Sequence, residues 1–155
     1  MLNQIDIIMK TNTKSLNLAN LETFIREILF RIGAIDWQLG LVITDNAEIR
    51  KYNRQWRNLD YPTDVLSFAQ NEGEQVPAIP KMPNEAGDIM ISLEKIASNA
   101  RELGNVFDEE LRRVIIHGIL HLDGQDHLEN DYSAGMLKMQ EELLVETSGI
   151  TIDCR

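Results

Sequence analysis

Leu111-Arg112-Arg113-Val114-Ile115-Ile116-His117-Gly118-Ile119-Leu120-His121-Leu122-Asp123-Gly124-Gln125-Asp126-His127 is the stretch on which the fold turns. Leu111, Val114, Ile115, Ile119 and Leu122 recur at helical spacing and supply a core-facing stripe. Asp108 is expected to cap this helix, with Glu109 and Glu110 in its first turn, where negative charge favours the helix dipole. His117 and His121 are four residues apart, so a helix stacks both rings on one face. Gly124 can end the helix in a left-handed turn, and the chain can then return His127 toward the same point. All three histidines of the chain fall in this run. Three imidazoles converging this way make an open tetrahedral metal site, with the fourth position left for water or substrate. Zinc suits three imidazoles best, although nickel, copper or iron would also accept them.

Ile5 to Met9 reads as a short strand. Leu18, Leu21, Phe24, Ile25, Ile28, Leu29 and Ile32 recur at helical spacing, and Gly33 follows as a stop. Trp37 to Thr44 reads as a second strand, followed by a helix capped by Asp45 or Asn46 and running to about Trp56. Asp64 to Ala69 is a third strand, launched by Tyr61-Pro62-Thr63. Asn71 to Ala86, with Pro77, Pro80 and Pro83, reads as a long surface loop. Gly87 to Ile91 is a fourth strand. Ser92 can cap a helix from Leu93 to about Leu103, ended by Gly104. Asp131 or Ser133 starts a last helix that ends near Gly149 and packs through Met136, Leu137, Met139, Gln140, Leu143 and Leu144. The expected architecture is α+β: one domain over 1–155, a small mixed sheet of about four strands, and about five helices, one carrying the histidines as in a zinc hydrolase.

Composition sets the outer limits. A chain of 155 residues with 43% apolar content supports one domain with a core of its own. No apolar run approaches the roughly 20 residues that span a bilayer, and the first residues lack the pattern of a secretion signal. Cys154, the one cysteine, has no intrachain partner. A cytoplasmic protein without membrane association is expected. The net charge of −10 counts against a large nucleic-acid interface. A small positive cleft on an acidic body remains compatible with it, because local potential governs encounter.

The histidine spacing matches that of HExxHxxGxxH peptidases. Those enzymes place a glutamate after the first histidine as general base. Here that position is Gly118, so the chemistry most needed for amide hydrolysis is missing. Asp123 and Asp126 lie between the histidines and are either acceptors for imidazole N–H groups or solvated turn residues. Asp126 could also be a base or an extra ligand.

The run from His117 to His127 resembles the signature of the YbeY family of rRNA maturation endoribonucleases, roughly H-G-x-L-H-L-x-G-Y-D-H. It departs only at Gln125, where tyrosine is usual and no ligand is expected. Two further blocks agree in the family's order: Asn53-Arg54-Gln55-Trp56-Arg57 with Pro62-Thr63-Asp64-Val65-Leu66-Ser67-Phe68, and Gly87-Asp88-Ile89-Met90-Ile91-Ser92. The resemblance implies a single-strand-specific endoribonuclease that matures rRNA, notably the 3′ end of small-subunit rRNA, and serves ribosome quality control. It implies one Zn2+ on His117, His121 and His127, and Arg57 as the functionally important arginine. Ribosomal subunits or ribosomal proteins are the implied partners, with single-stranded RNA as substrate and no DNA.

Phosphodiester cleavage needs an activated nucleophile, neutralised transition-state charge and a stabilised leaving oxygen. A zinc ion can serve any of these, which makes His117 and His121 catalytic as well as ligating. Arg57 can pair with a phosphate through two parallel hydrogen bonds and keeps its charge. The Thr63 hydroxyl could touch substrate, while Asp64 is expected to cap the turn. Trp56 and Tyr61 flank Arg57 and could stack bases, although Trp56 is more readily a core residue. Two other readings compete: a non-enzymatic ribosome assembly factor stapled by zinc, and a metal hydrolase acting on another ester.

Overall fold

The computed structural model describes residues 3–12, 15–69, 85–124 and 130–154. The elements run β1 (Gln4–Met9), α1 (Leu18–Arg31), β2 (Gln38–Thr44), α2 (Asn46–Arg57), β3 (Val65–Ala69), β4 (Glu85–Ser92), α3 (Leu93–Leu103), α4 (Phe107–Leu122) and α5 (Asn130–Glu146). The α+β reading with a four-stranded mixed sheet and five helices holds. Strand order is β1-β2-β4-β3, with β1, β2 and β4 parallel and β3 antiparallel to β4. The loop expected over 71–86 lies outside the described residues except for its last two, Glu85 and Ala86, which begin β4.

Side-chain alternation divides the sheet into two faces. Leu39, Leu41 and Ile43 of β2, with Ile89 and Ile91 of β4, face the main core. There they meet Phe24, Ile25 and Ile28 of α1 and Ile115, Ile116 and Ile119 of α4. Met90 and Val42 point the other way, onto Ile49 and Tyr52 of α2. Each fully buried Leu or Ile stabilises the fold by about 1.5–3 kcal/mol, so α4, buried along most of its length, is a main support of the domain.

The helix starts show which sequence signals won. The Asp45 carboxylate accepts from Glu48 N–H at 2.9 Å and Ser92 Oγ from Lys95 N–H at 3.2 Å, the capping both residues were expected to provide. Asp108 does not cap α4. Val106 holds the N-cap position without a side-chain hydrogen bond, and Asp108 lies inside the first turn. Its carboxylate instead accepts from the backbone N–H groups of Ile152 and Asp153 at 2.7 and 2.8 Å, and from Arg112 Nε at 2.8 Å. The C-terminal segment offers two donors with no helix or strand of their own to satisfy them, and that demand outweighs one cap. On α5, Met136 is buried as expected, whereas Leu137 and Met139 are exposed.

Arg112 is itself buried, so removing its carboxylate partner leaves a guanidinium in the core and two tail N–H groups unmet. Asp108→Ala is expected to lower unfolding free energy by about 3 kcal/mol, measured by urea denaturation. Asp108→Asn, which keeps an acceptor for the tail, is expected to lose less.

Candidate active site

The site is assembled where α4 crosses the sheet. Gly118 sits flush on β4: a Cβ there would meet Ile89 Cγ2 at 3.0 Å and Cδ1 at 3.2 Å. The position that carries glutamate in the peptidases is therefore turned into the sheet, where Gly118 is buried. This close approach leaves the neighbouring His117 and the next-turn His121 half-buried at the surface of the helix.

The two imidazoles converge. Their Nε2 atoms lie 2.9 Å apart, with ring centroids 4.5 Å apart and planes at 62°. Two nitrogens on one zinc ion, each at about 2.0–2.1 Å, can be at most about 4 Å apart. The pair thus fits as two ligands of a single metal. The helix ends at Leu122, and Gly124 takes the expected left-handed conformation, φ 81°. His127, Gln125 and Asp126 lie outside the described residues. Among the described residues no cluster of three His, Cys, Asp or Glu side chains forms a metal site. Asp123 is exposed at the C-cap of α4.

Arg57 reaches the site from the end of α2. The helix stops there because Asn58 is left-handed, φ 60°. Buried Asn53 then holds the following turn, its Nδ2 donating to the Tyr61 carbonyl at 2.9 Å. Arg57 Nη2 donates to the Ser67 carbonyl at 2.7 Å, and its guanidinium stands 5.3 Å from the Phe68 ring centroid. That distance is within cation–π range. Ser67 in turn donates from Oγ to the Gly118 carbonyl at 3.3 Å. One β3 residue thus joins the arginine to the helix backbone beside His117. The Asp64 carbonyl accepts from Ser92 N–H, so pairing alternation points the Val65, Ser67 and Ala69 backbone groups away from β4, along the sheet edge.

Thr63 is half-buried, and its hydroxyl lies 3.4 Å from Asp64 Oδ1. Asp64 and Val65 border a cavity of about 160 Å3, which His117, Glu110, Arg113 and Gln140 also line. Trp56 is half-buried and is not among the core residues; Tyr61 is exposed. Ser92 ends β4 and caps α3, whereas Asp88 lies within β4, exposed and away from the strand's ends.

Gln140 carries a role that sequence reasoning missed. Its place in the apolar stripe of α5 predicts packing alone, yet its Oε1 lies 2.8 Å from His117 Nδ1. The signal was there: Met136, Gln140, Leu143 and Leu144 form one buried stripe, and glutamine is its polar member. Next to it, Glu141 accepts from Arg113 Nε at 2.9 Å and Nη2 at 3.2 Å. Arg113 also donates to Glu110 at 2.7 Å and Glu109 at 3.3 Å. Hydrogen bonding to Glu141 is the largest influence that raises the Arg113 pKa, and the Arg113 hydrogen bond holds the Glu141 carboxyl below its ordinary value.

The fold and site define a class: an α+β domain that presents a histidine pair from a core helix beside an arginine-bearing sheet edge. A profile of the family described as Endoribonuclease YbeY matches residues 6–148. An Endoribonuclease YbeY from Treponema denticola is 42% identical over 138 residues, covering 89% of this chain and 88% of the relative. One from Halalkalibacterium halodurans is 39% identical over 152 residues, covering 91% and 93%. The solution structure of TM1509 from Thermotoga maritima superposes with a TM-score of 0.64 at 32% identity, covering 94% of this chain and 90% of that one. The chain belongs to the Endoribonuclease YbeY family.

Two outcomes follow from the geometry. Gly118→Glu forces a charged side chain against Ile89 and is expected to cost more than about 3 kcal/mol in urea denaturation, without conferring peptidase activity. Glu141 is depressed in the folded state, so its contribution to stability is complete above its ordinary value of 4.5. That contribution fades as pH falls from there through the folded-state value. Glu141→Gln is expected to flatten the acid limb of a stability–pH profile and leave the neutral limb's slope unchanged.

Proposed function

We propose that this protein is a zinc-dependent endoribonuclease that cleaves single-stranded RNA during rRNA maturation, at the 3′ end of small-subunit rRNA, and in ribosome quality control. Membership in a family of endoribonucleases supports RNA cleavage. The observation that carries the assignment of residues is the Ser67 bridge, which ties Arg57 to the Gly118 carbonyl beside the paired histidines.

His117 and His121 would hold the metal, with His127 as third ligand. The metal would supply Lewis acidity to a phosphoryl oxygen or an attacking oxygen. Arg57 binds the scissile phosphate: its planar guanidinium keeps its charge, and the Ser67 carbonyl and Phe68 ring fix its plane. Thr63, at the start of the same strand, contacts the RNA backbone through its hydroxyl. The overall charge of −10 repels RNA from most of the surface, so binding concentrates at this cleft. Among the described residues no helix is long and apolar enough to cross a membrane. We place the protein in the cytoplasm with ribosomal subunits as its partners.

The test is zinc content together with cleavage of a defined single-stranded RNA, a duplex RNA and a single-stranded DNA by purified protein. The expected result is about one zinc per chain and cleavage of the first substrate alone. Arg57→Ala and His121→Ala are expected to lower the rate by roughly 100-fold or more. Cleavage that persists in both variants would belong to a contaminating nuclease and overturn the assignment. Ribosome association by a zinc-loaded protein that never cuts RNA would favour the assembly-factor reading.

A further inference from the structure

We propose that Gln140 is a positioning residue that sets the tautomer of His117, and that Glu141 and Arg113 hold its amide in the orientation this requires. The inference rests on the metal reading above and adds a residue from a different helix to the site.

A glutamine side chain has an oxygen that only accepts and a nitrogen that only donates. Gln140 Nε2 donates to Glu141 Oε2 at 3.1 Å, and an ionised carboxylate offers nothing but acceptors. A flipped amide would set oxygen against oxygen there. Glu141 is kept ionised and in place by the two-pronged bond from Arg113, which Glu109 and Glu110 anchor in turn. The Gln140 oxygen therefore faces His117 Nδ1 at 2.8 Å. An acceptor at that distance requires the hydrogen of a neutral ring to sit on Nδ1. The Nε2 lone pair is then directed toward His121 Nε2, 2.9 Å away, where a metal ion would be bound. Without the acceptor, hydrogen on Nδ1 loses the bond that favours it, and the part of the population carrying it on Nε2 could not ligate. Gln140 is 6% exposed, and its oxygen is directed at the ring and not at bulk water.

Nothing about packing demands glutamine here. Methionine fills nearly the same volume on an apolar stripe and would satisfy the neighbouring side chains of Met136, Leu143 and Leu144. The choice of an amide at this buried position is explained by the ring it faces.

The test compares wild type with Gln140→Met and Gln140→Glu in two measurements. The first is Zn2+ affinity by competition with a chromophoric chelator. The second is nitrogen-15 NMR of the His117 imidazole in metal-free protein at alkaline pH, where the ring is neutral. Wild type is expected to show the hydrogen on Nδ1. Gln140→Met is expected to bind Zn2+ 10–100-fold more weakly and to show a mixed tautomer. Gln140→Glu, which keeps an acceptor, is expected to retain the Nδ1–H tautomer and an affinity within a few-fold of wild type. The proposal is overturned if Gln140→Met matches wild type in both measurements, or if both variants lose affinity equally, which would mark a packing role. A wild-type ring with its hydrogen on Nε2 overturns it whether or not the variants fold. Failure of wild type to bind Zn2+ would sink the metal reading separately, while the wild-type tautomer would still decide the role of Gln140.

Discussion

The contact between Gly118 and Ile89 is the constraint on which the rest of this structure depends. An α-helix normally stands off a sheet by the thickness of a side-chain layer. Here one residue of α4 contributes no side chain, and the helix backbone comes down onto β4. That approach brings the Gly118 carbonyl within reach of Ser67, and through Ser67 it couples the helix to Arg57. It also fixes the rotation of α4 about its axis. With position 118 facing the sheet, the histidine stripe one residue away is neither swallowed by the core nor turned fully to solvent. A spacing shared with peptidases therefore serves a different site, because the residue between the first two shared positions is spent on packing.

Electrostatics around α4 divides into two regions with different tasks. Arg113 faces three glutamates and is satisfied by them, so it acts as a structural cation. Arg112 is committed to Asp108 and the Leu144 carbonyl and holds the C-terminal segment against the helix. Arg57, at the end of α2, donates to the Ser67 carbonyl and stands over the Phe68 ring, and these two contacts orient its guanidinium at the sheet edge. A chain with an excess of acid can still present positive potential locally.

Much of the fold could be read from local signals because those signals were local in cause. The periodicity of α1, the caps at Asp45 and Ser92 and the left-handed Gly124 depend on residues within one turn of each other. The features that escaped depend on distant partners. Asp108 looked like a cap until residues 152 and 153, more than forty positions away, supplied two stronger claims on its carboxylate. Gln140 looked like filler because its partner lies on another helix, 23 residues earlier. The α5 stripe was drawn too wide: α4 covers one narrow face, which buries Met136 and leaves Leu137 and Met139 outside. In the site itself, the histidine pair and Arg57 were visible as motifs, whereas the roles of Asn53 and Ser67 as turn-holder and bridge emerged only from three-dimensional neighbours.

The bond from Arg57 to the Ser67 carbonyl has a consequence for how the sheet ends. Among the described residues β3 is an outer strand, and an outer strand offers a ready template to any extended chain that could continue the ladder. Ser67 is one of the residues whose backbone groups face outward, and its acceptor is already filled by a cation. A further strand laid along this edge would have to displace a guanidinium and accommodate its charge. The guanidinium thus acts as a side-chain plug at one point of this edge, and it disfavours pairing of another chain there.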